Sequence, residues 1–223
     1  MRLIDTFFNV NVFFETLPLL WKGLFVTIEL GLLSIVLGLL LGLGTALLRI
    51  YGSRPFSLAA RVYTDVFRSI PLLVLLIVIY YALPFVGIRL SSFASATAAL
   101  SLVSAAYTAE IFRAGIEAVP PGQFEAARVL GLSWRQMMAD VILPQAIKIV
   151  IPPLTNNCIN VLKDTALASV VAMPDLLKQA TQAQALAANP TPLIGAALIY
   201  LLLLWPLVVL VTRFEERTRA RSR

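Results

Sequence analysis

Twenty consecutive residues, Leu193 to Thr212, carry no charge. A helix of that length covers the ~30 Å hydrocarbon core of a bilayer. Lipid leaves backbone groups no outside partner, so a chain crossing it must be helical or a closed barrel. Four further stretches predict spans: Gly23 to Leu48, interrupted only by Glu29, then about Tyr63 to Leu83, Phe93 to Ile116, and Val141 to Val171. The last carries Pro152-Pro153, expected to break it. With 59% hydrophobic and 13% charged residues, the chain exceeds the roughly 45–50% apolar share of soluble domains. The expected fold is an all-α integral membrane protein with five transmembrane helices over 23–212. Residues 1–22 mix Phe7, Phe8, Phe13, Phe14 and Trp21 with Asp5, Asn9, Asn11 and Glu15. They lack a signal peptide's basic start and cleavage site, and predict an interfacial helix.

An odd span count puts the termini on opposite sides. With the N-terminus outside, the inner side holds Arg49, Arg54, Arg61, Arg68, Arg113, Arg128, Arg135 and Lys148, and the 213–223 tail adds five arginines. The outer side keeps Arg2, Lys22, Arg89, Lys163 and Lys178. Thirteen of 18 basic residues inside predicts N-out, C-in. The net charge of +6 therefore reads as topology, and the 213–223 tail as an anchor on the anionic inner leaflet rather than a nucleic-acid patch.

Histidine is absent and Cys158 is the one cysteine. That excludes histidine acid–base chemistry, a Cys/His zinc site and an intrachain disulfide. No phosphate-cradling GxxxxGK[ST] stretch occurs, so any ATP used must be hydrolysed by a partner. The chain is expected to be no enzyme and to hold no cofactor. No internal duplication is visible, so a translocation path is expected to need a second, related subunit.

The longest polar stretch, Arg113 to Asp140, falls inside. Pro120-Pro121-Gly122 stops the incoming helix, and Glu125 to Leu130 predicts a short helix with Glu125 and Arg128 paired, ended by Gly131. Leu132 to Met138 predicts a second. Together they would expose Phe124, Leu132, Trp134, Met137 and Met138, either to lipid headgroups or to a docked protein.

The spacing Glu125-Ala126-Ala127, Gly131, Val141-Ile142-Leu143-Pro144 resembles the EAA loop of ABC-importer permeases, with Val141 where isoleucine is preferred. Phe67-Arg68-Ser69-Ile70-Pro71-Leu72-Leu73, Tyr107 to Ile116 and Lys163-Asp164-Thr165 resemble its polar amino-acid branch, which includes histidine, glutamine, glutamate, arginine and opine permeases. The resemblance implies a type I importer architecture in a bacterial inner membrane. It implies two cytoplasmic ATP-binding subunits that carry ATP and magnesium, a second permease subunit and an external binding protein. It makes the loop at about 120–144 the coupling element, with Glu125, Ala126, Ala127, Arg128, Gly131 and Leu132 meeting the ATPase.

Ionisable residues within spans mark functional or structural pairs. Asp65 with Arg68 and Glu110 with Arg113 are each three apart and predict ion pairs at the inner interface, while Glu29 reads as a helix contact. In the fourth span Asn156, Asn157, Asn160, Lys163 and Asp164 share an arc of about 120° that runs about 12 Å along the axis. Lipid would not tolerate that stripe, so it lines a cavity or an amide-rich helix seam. As a cavity face it suits a zwitterion, with Asp164 on the ammonium and amides or Lys163 on the carboxylate. The family resemblance implies an acid beside the first asparagine in carriers of basic amino acids. Asn157 stands there, pointing to a neutral or acidic side chain, or to an opine. Met173-Pro174-Asp175 reads as the start of a short outer helix that ends before Asn189-Pro190.

Overall fold

The computed structural model describes the backbone of residues 6–220, with side chains through Arg213 and at Glu216. Arg2, Asp5 and the tail residues Arg217, Arg219, Arg221 and Arg223 fall outside those described side chains. Every regular element among the described residues is helical.

The first helix, α1, runs unbroken over Val10–Tyr51, with Pro18 inside it. Asn9 caps it, its side chain accepting from the Asn11 and Val12 amides. The interfacial helix expected over 1–22 is therefore not a separate element from Val10 onward. The Gly23–Leu48 run extends toward the N-terminus, because nothing between Val10 and Gly23 stops it.

The second apolar run turns at Pro71. Helix α2, Arg54–Ser69, ends at Ile70, whose ψ of 126° is the extended conformation a following proline imposes. Helix α3, Leu72–Ile77, continues through a π turn at Val78–Ala82 and a 3-10 turn at Leu83–Val86. The two arms are bent by 101°, so the straight span expected at 63–83 is not formed. The charges in α2 also redistribute the expected pairing. Asp65 lies 3.9 Å from Arg61, while Arg68 reaches Glu110 instead.

Helix α4, Ser92–Glu117, is the centre of the bundle and makes its most extensive contact with α1. Small residues permit that approach. A Cβ on Gly42 would sit 2.5 Å from the Thr108 Cβ and 2.8 Å from the Ala105 carbonyl, so only glycine fits there. Ala96, Ala99, Ala105, Ala106 and Ala109 of α4 are fully buried. Burial against protein explains why α4 is less apolar than a lipid-facing helix.

Helix α5, Pro121–Val129, crosses one end of the bundle. Helix α6 starts at Trp134, capped by reciprocal hydrogen bonds between Ser133 and Gln136. It then passes through a π turn, Met137–Ile142, into α7, Leu143–Asp164, and a 3-10 turn to Val171. The expected second loop helix over 132–138 is thus the first turn of the fourth long run. Pro152 and Pro153 do not break α7. Helix α8, Leu176–Ala187, begins where Asp175 accepts from the Lys178 amide. Helix α9 is Thr191–Ala220. By length and composition three helices can cross a bilayer, or four if the bent pair counts as one. The five expected from sequence include α4, which has the length (26 residues, about 39 Å) without the apolarity.

Candidate translocation cleft and docking loop

The polar arc of α7 divides between a seam and a cavity. Asn157 is buried and donates its Nδ2 protons toward α4, to Ser104 Oγ and Thr108 Oγ1, both at 3.2 Å, and to the Ser104 carbonyl at 3.4 Å. Asn160 and Asp164 line an open cleft of about 270 Å³, together with Asn157, Ser104, Tyr107 and Leu72. Lys163 and Asn156 are exposed on the opposite edge of the arc, outside that lining. The 100° step per residue explains the split: Asn160, Asp164 and Asn157 occupy the side nearest α4, and the other two turn away. Both sequence readings hold in part, seam at Asn157 and cavity beside it. Ser104, Tyr107 and Leu72 were not foreseen as lining residues, since a serine or tyrosine in an apolar helix gives no periodic signal.

Nearer the α5 end, Glu110 gathers three guanidinium groups. It pairs with Arg113, as expected, with Arg49 at 2.8 Å and with Arg68 at 3.8 Å. Arg113 also pairs with Glu117. The hub ties α1, α2 and α4 together. Arg49 was not foreseen, because it lies 61 residues from Glu110. A second cleft, of about 340 Å³, opens beside the hub and is lined by Arg68, Tyr107, Glu110, Ala114, Ile149 and Pro153 among others. The Arg68 guanidinium lies 5.5 Å from the Tyr107 ring centre.

The loop at 120–144 is built to present α5. Gly131, at φ +72°, adopts the left-handed conformation that glycine takes without penalty. Its amide donates to the Arg128 carbonyl at 3.0 Å, and the Leu132 amide to the Ala127 carbonyl at 3.1 Å. These two bonds form a Schellman ending. Ala127 is buried with Val119, Met137, Met138, Ile142 and Ala146, and Leu132 packs on the same cluster. Glu125, Ala126 and Arg128 face outward. The expected Glu125–Arg128 ion pair is absent within 4.0 Å, both side chains pointing to solvent. The methionines expected at the surface are core, because the π turn carries them under α5. The exposed apolar residues are Val129 (87%) and Leu130 (77%), with Trp134 edge-on to Tyr51.

Residues 34–220 match the family described as "Binding-protein-dependent transport system inner membrane component". The arginine transport system permease protein ArtQ of Bacillus subtilis is 39% identical over 208 residues, covering 92% of this chain and 95% of that one. The probable glutamine ABC transporter permease protein GlnM of the same organism is 38% identical, covering 94% and 97%. A crystal structure of an amino acid ABC transporter with histidines contains a chain 41% identical, with a TM-score of 0.86 over 91% of this chain and 95% of that one. Inward-facing MetNI methionine transporter structures share the fold, with a TM-score of 0.75 at 22% identity over 94% and 99%.

Proposed function

Because the chain belongs to the family of binding-protein-dependent transport system inner membrane components, as an amino-acid ABC transporter permease, we propose that it carries polar amino acids inward across a bacterial cytoplasmic membrane. An external binding protein delivers the substrate. Two ATP-binding subunits, holding ATP and magnesium, drive a pair of permease subunits between outward- and inward-facing states. The chain itself does no covalent chemistry. Its contribution is the difference in how tightly the ATPase binds the two states.

The observation that carries this reading is the path from loop to cleft. Helix α5 presents Glu125, Ala126, Arg128 and the uncovered Val129 and Leu130, a small apolar and charged face suited to a cleft in the ATPase. Gly131, Leu132 and Ala127 fix its angle. From Trp134 the chain runs without a break to the polar cleft. There Asp164 would accept from a substrate ammonium, Asn160 would hold the carboxylate, and Asn157 would offer its remaining oxygen. Asn156 and Lys163 extend the face toward a neighbouring subunit. Asparagine at 157 favours a neutral or acidic side chain, or an opine.

In this reading the bent α2–α3 pair is one span and α4 another, completing five with α1, the α6–α7 rod and α9. The positive-inside bias then sets the N-terminus outside and α5 in the cytoplasm.

Reconstitution of the whole complex tests the proposal. Glu125→Lys or Gly131→Pro should release the ATPase or uncouple hydrolysis from uptake. Asp164→Ala should abolish substrate-stimulated hydrolysis. Concentrative uptake by this chain without any ATPase, or a fully coupled Gly131→Pro complex, overturns it.

A further inference from the structure

The two clefts lie in series along a single groove between α4 and α7. On α7 the lining steps from Ile149 and Pro153 in one cleft to Asn157, Asn160 and Asp164 in the other. These positions follow one helix face at three- and four-residue intervals. On α4 the lining steps from Ala114 and Glu110 to Ser104 and Leu100. Between them stands Tyr107, the one side chain common to both linings. Pro153 and Asn157 are one turn apart, about 6 Å, so the two spaces are separated by about the thickness of one residue layer.

Tyr107 is braced on the side of the second cleft. Arg68 lies 5.5 Å from its ring centre and 3.8 Å from Glu110. Glu110 is one turn further along α4 and is itself held by Arg49 and Arg113. Arg68 is the penultimate residue of α2, three before Pro71, and Leu72 beyond that bend lines the first cleft. A change of angle at the bend would therefore move the brace and the cleft wall together.

We infer that Tyr107, held by Arg68, is the side chain that closes the substrate cleft to the cytoplasm. It is a barrier that swings aside when the α2–α3 bend withdraws Arg68. The inference rests on the proposed reading of the first cleft as the amino-acid site. It adds the residue that separates that site from the exit vestibule. An aromatic ring fits the task, because it blocks the groove by its width and offers a face to a cation on one side only.

The test uses the assembled complex in proteoliposomes loaded with radiolabelled glutamine, or separately arginine, without ATP. Tyr107→Ala is expected to leak label at least about tenfold faster than wild type, Tyr107→Phe to stay tight, and Arg68→Gln to leak at an intermediate rate. If the alanine variant fails to assemble, Tyr107→Cys in a Cys158→Ser background replaces it. That variant should leak until benzyl methanethiosulfonate restores a ring at 107. A tight Tyr107→Ala complex, or a cysteine variant whose leak is absent or is unchanged by benzylation, overturns the inference. The underlying site reading fails differently. If Asp164→Ala leaves coupled uptake intact while Tyr107→Ala still leaks, the barrier stands and the cleft is not the binding site. If Asp164→Ala abolishes uptake while Tyr107→Ala is tight, the site stands and the barrier does not.

Discussion

Replacing Asn157 with alanine separates its structural work from its proposed contact with substrate. The change removes two interhelical hydrogen bonds of 3.2 Å and a longer one of 3.4 Å. Interhelical polar bonds in membranes average about 0.6 kcal/mol, with a maximum near 1.7. The two shorter bonds together are then worth about 1–3 kcal/mol. Ser104 and Thr108 are not stranded by the loss, since each hydroxyl can donate to the carbonyl four residues back in α4. That places the expected cost in the lower half, about 1.5 kcal/mol. For a chain of 223 residues this corresponds to a fall in Tm of about 3–6 °C. Thermal unfolding of the assembled complex in nanodiscs measures it, with substrate-stimulated ATPase activity read on the same sample. Asn157→Asp should retain Tm, because both hydroxyls can turn to donate to the carboxylate. A Tm for Asn157→Ala within about 1 °C of wild type would refute the pinning of α7 to α4. Lost transport at unchanged Tm would assign Asn157 to the substrate alone.

Gly42→Val should misassemble or lose about 2–3 kcal/mol, because its Cβ would meet Thr108 and the Ala105 backbone below 3 Å; yield and Tm after membrane extraction report it. Glu110→Gln should cost about 2–3 kcal/mol by leaving three arginines without their shared carboxylate, and Arg49→Gln in the same chain should recover part of the loss in chemical denaturation. Burial raises the Asp175 carboxyl from 3.8 to about 6, so the folded chain holds this proton more tightly than the unfolded one. Its contribution is therefore full below about pH 4 and fades as pH rises through about 6. Asp175→Asn, which keeps an N-cap, should flatten that stretch of the Tm–pH curve.

Much of the fold could be read locally. Gly131 ends α5 with a positive φ, Asp175 caps α8, and Pro190 marks its end, because capping and glycine conformation depend on a few neighbouring residues. The α2–α3 bend had its signal in Ile70-Pro71, which hydrophobicity alone overrides when 63–83 is taken as one run. The division of the polar arc was only half legible. Periodicity puts five residues on one face, but which edge of it meets Ser104 and Thr108 depends on α4, some fifty residues away. The Arg49–Glu110 pair and the burial of Met137 and Met138 depend likewise on packing between distant segments. So does the barrier role of Tyr107, whose meaning comes from two spaces rather than from its neighbours in the chain.

The π turn at Met137–Ile142 sets the rotational phase of everything beyond it. A π turn holds one residue more than the α-helical path it interrupts. Deleting a single residue there would leave the rod continuous and its apolar content nearly unchanged. It would nevertheless rotate Leu143 onward by about 100° relative to α5. Asn157 would leave Ser104 and Thr108, Asn160 and Asp164 would turn away from the cleft, and Ile149 and Pro153 would leave the vestibule. One loosely wound turn thus acts as the clocking pin between the loop and the groove. Length in this segment is constrained more tightly than residue identity.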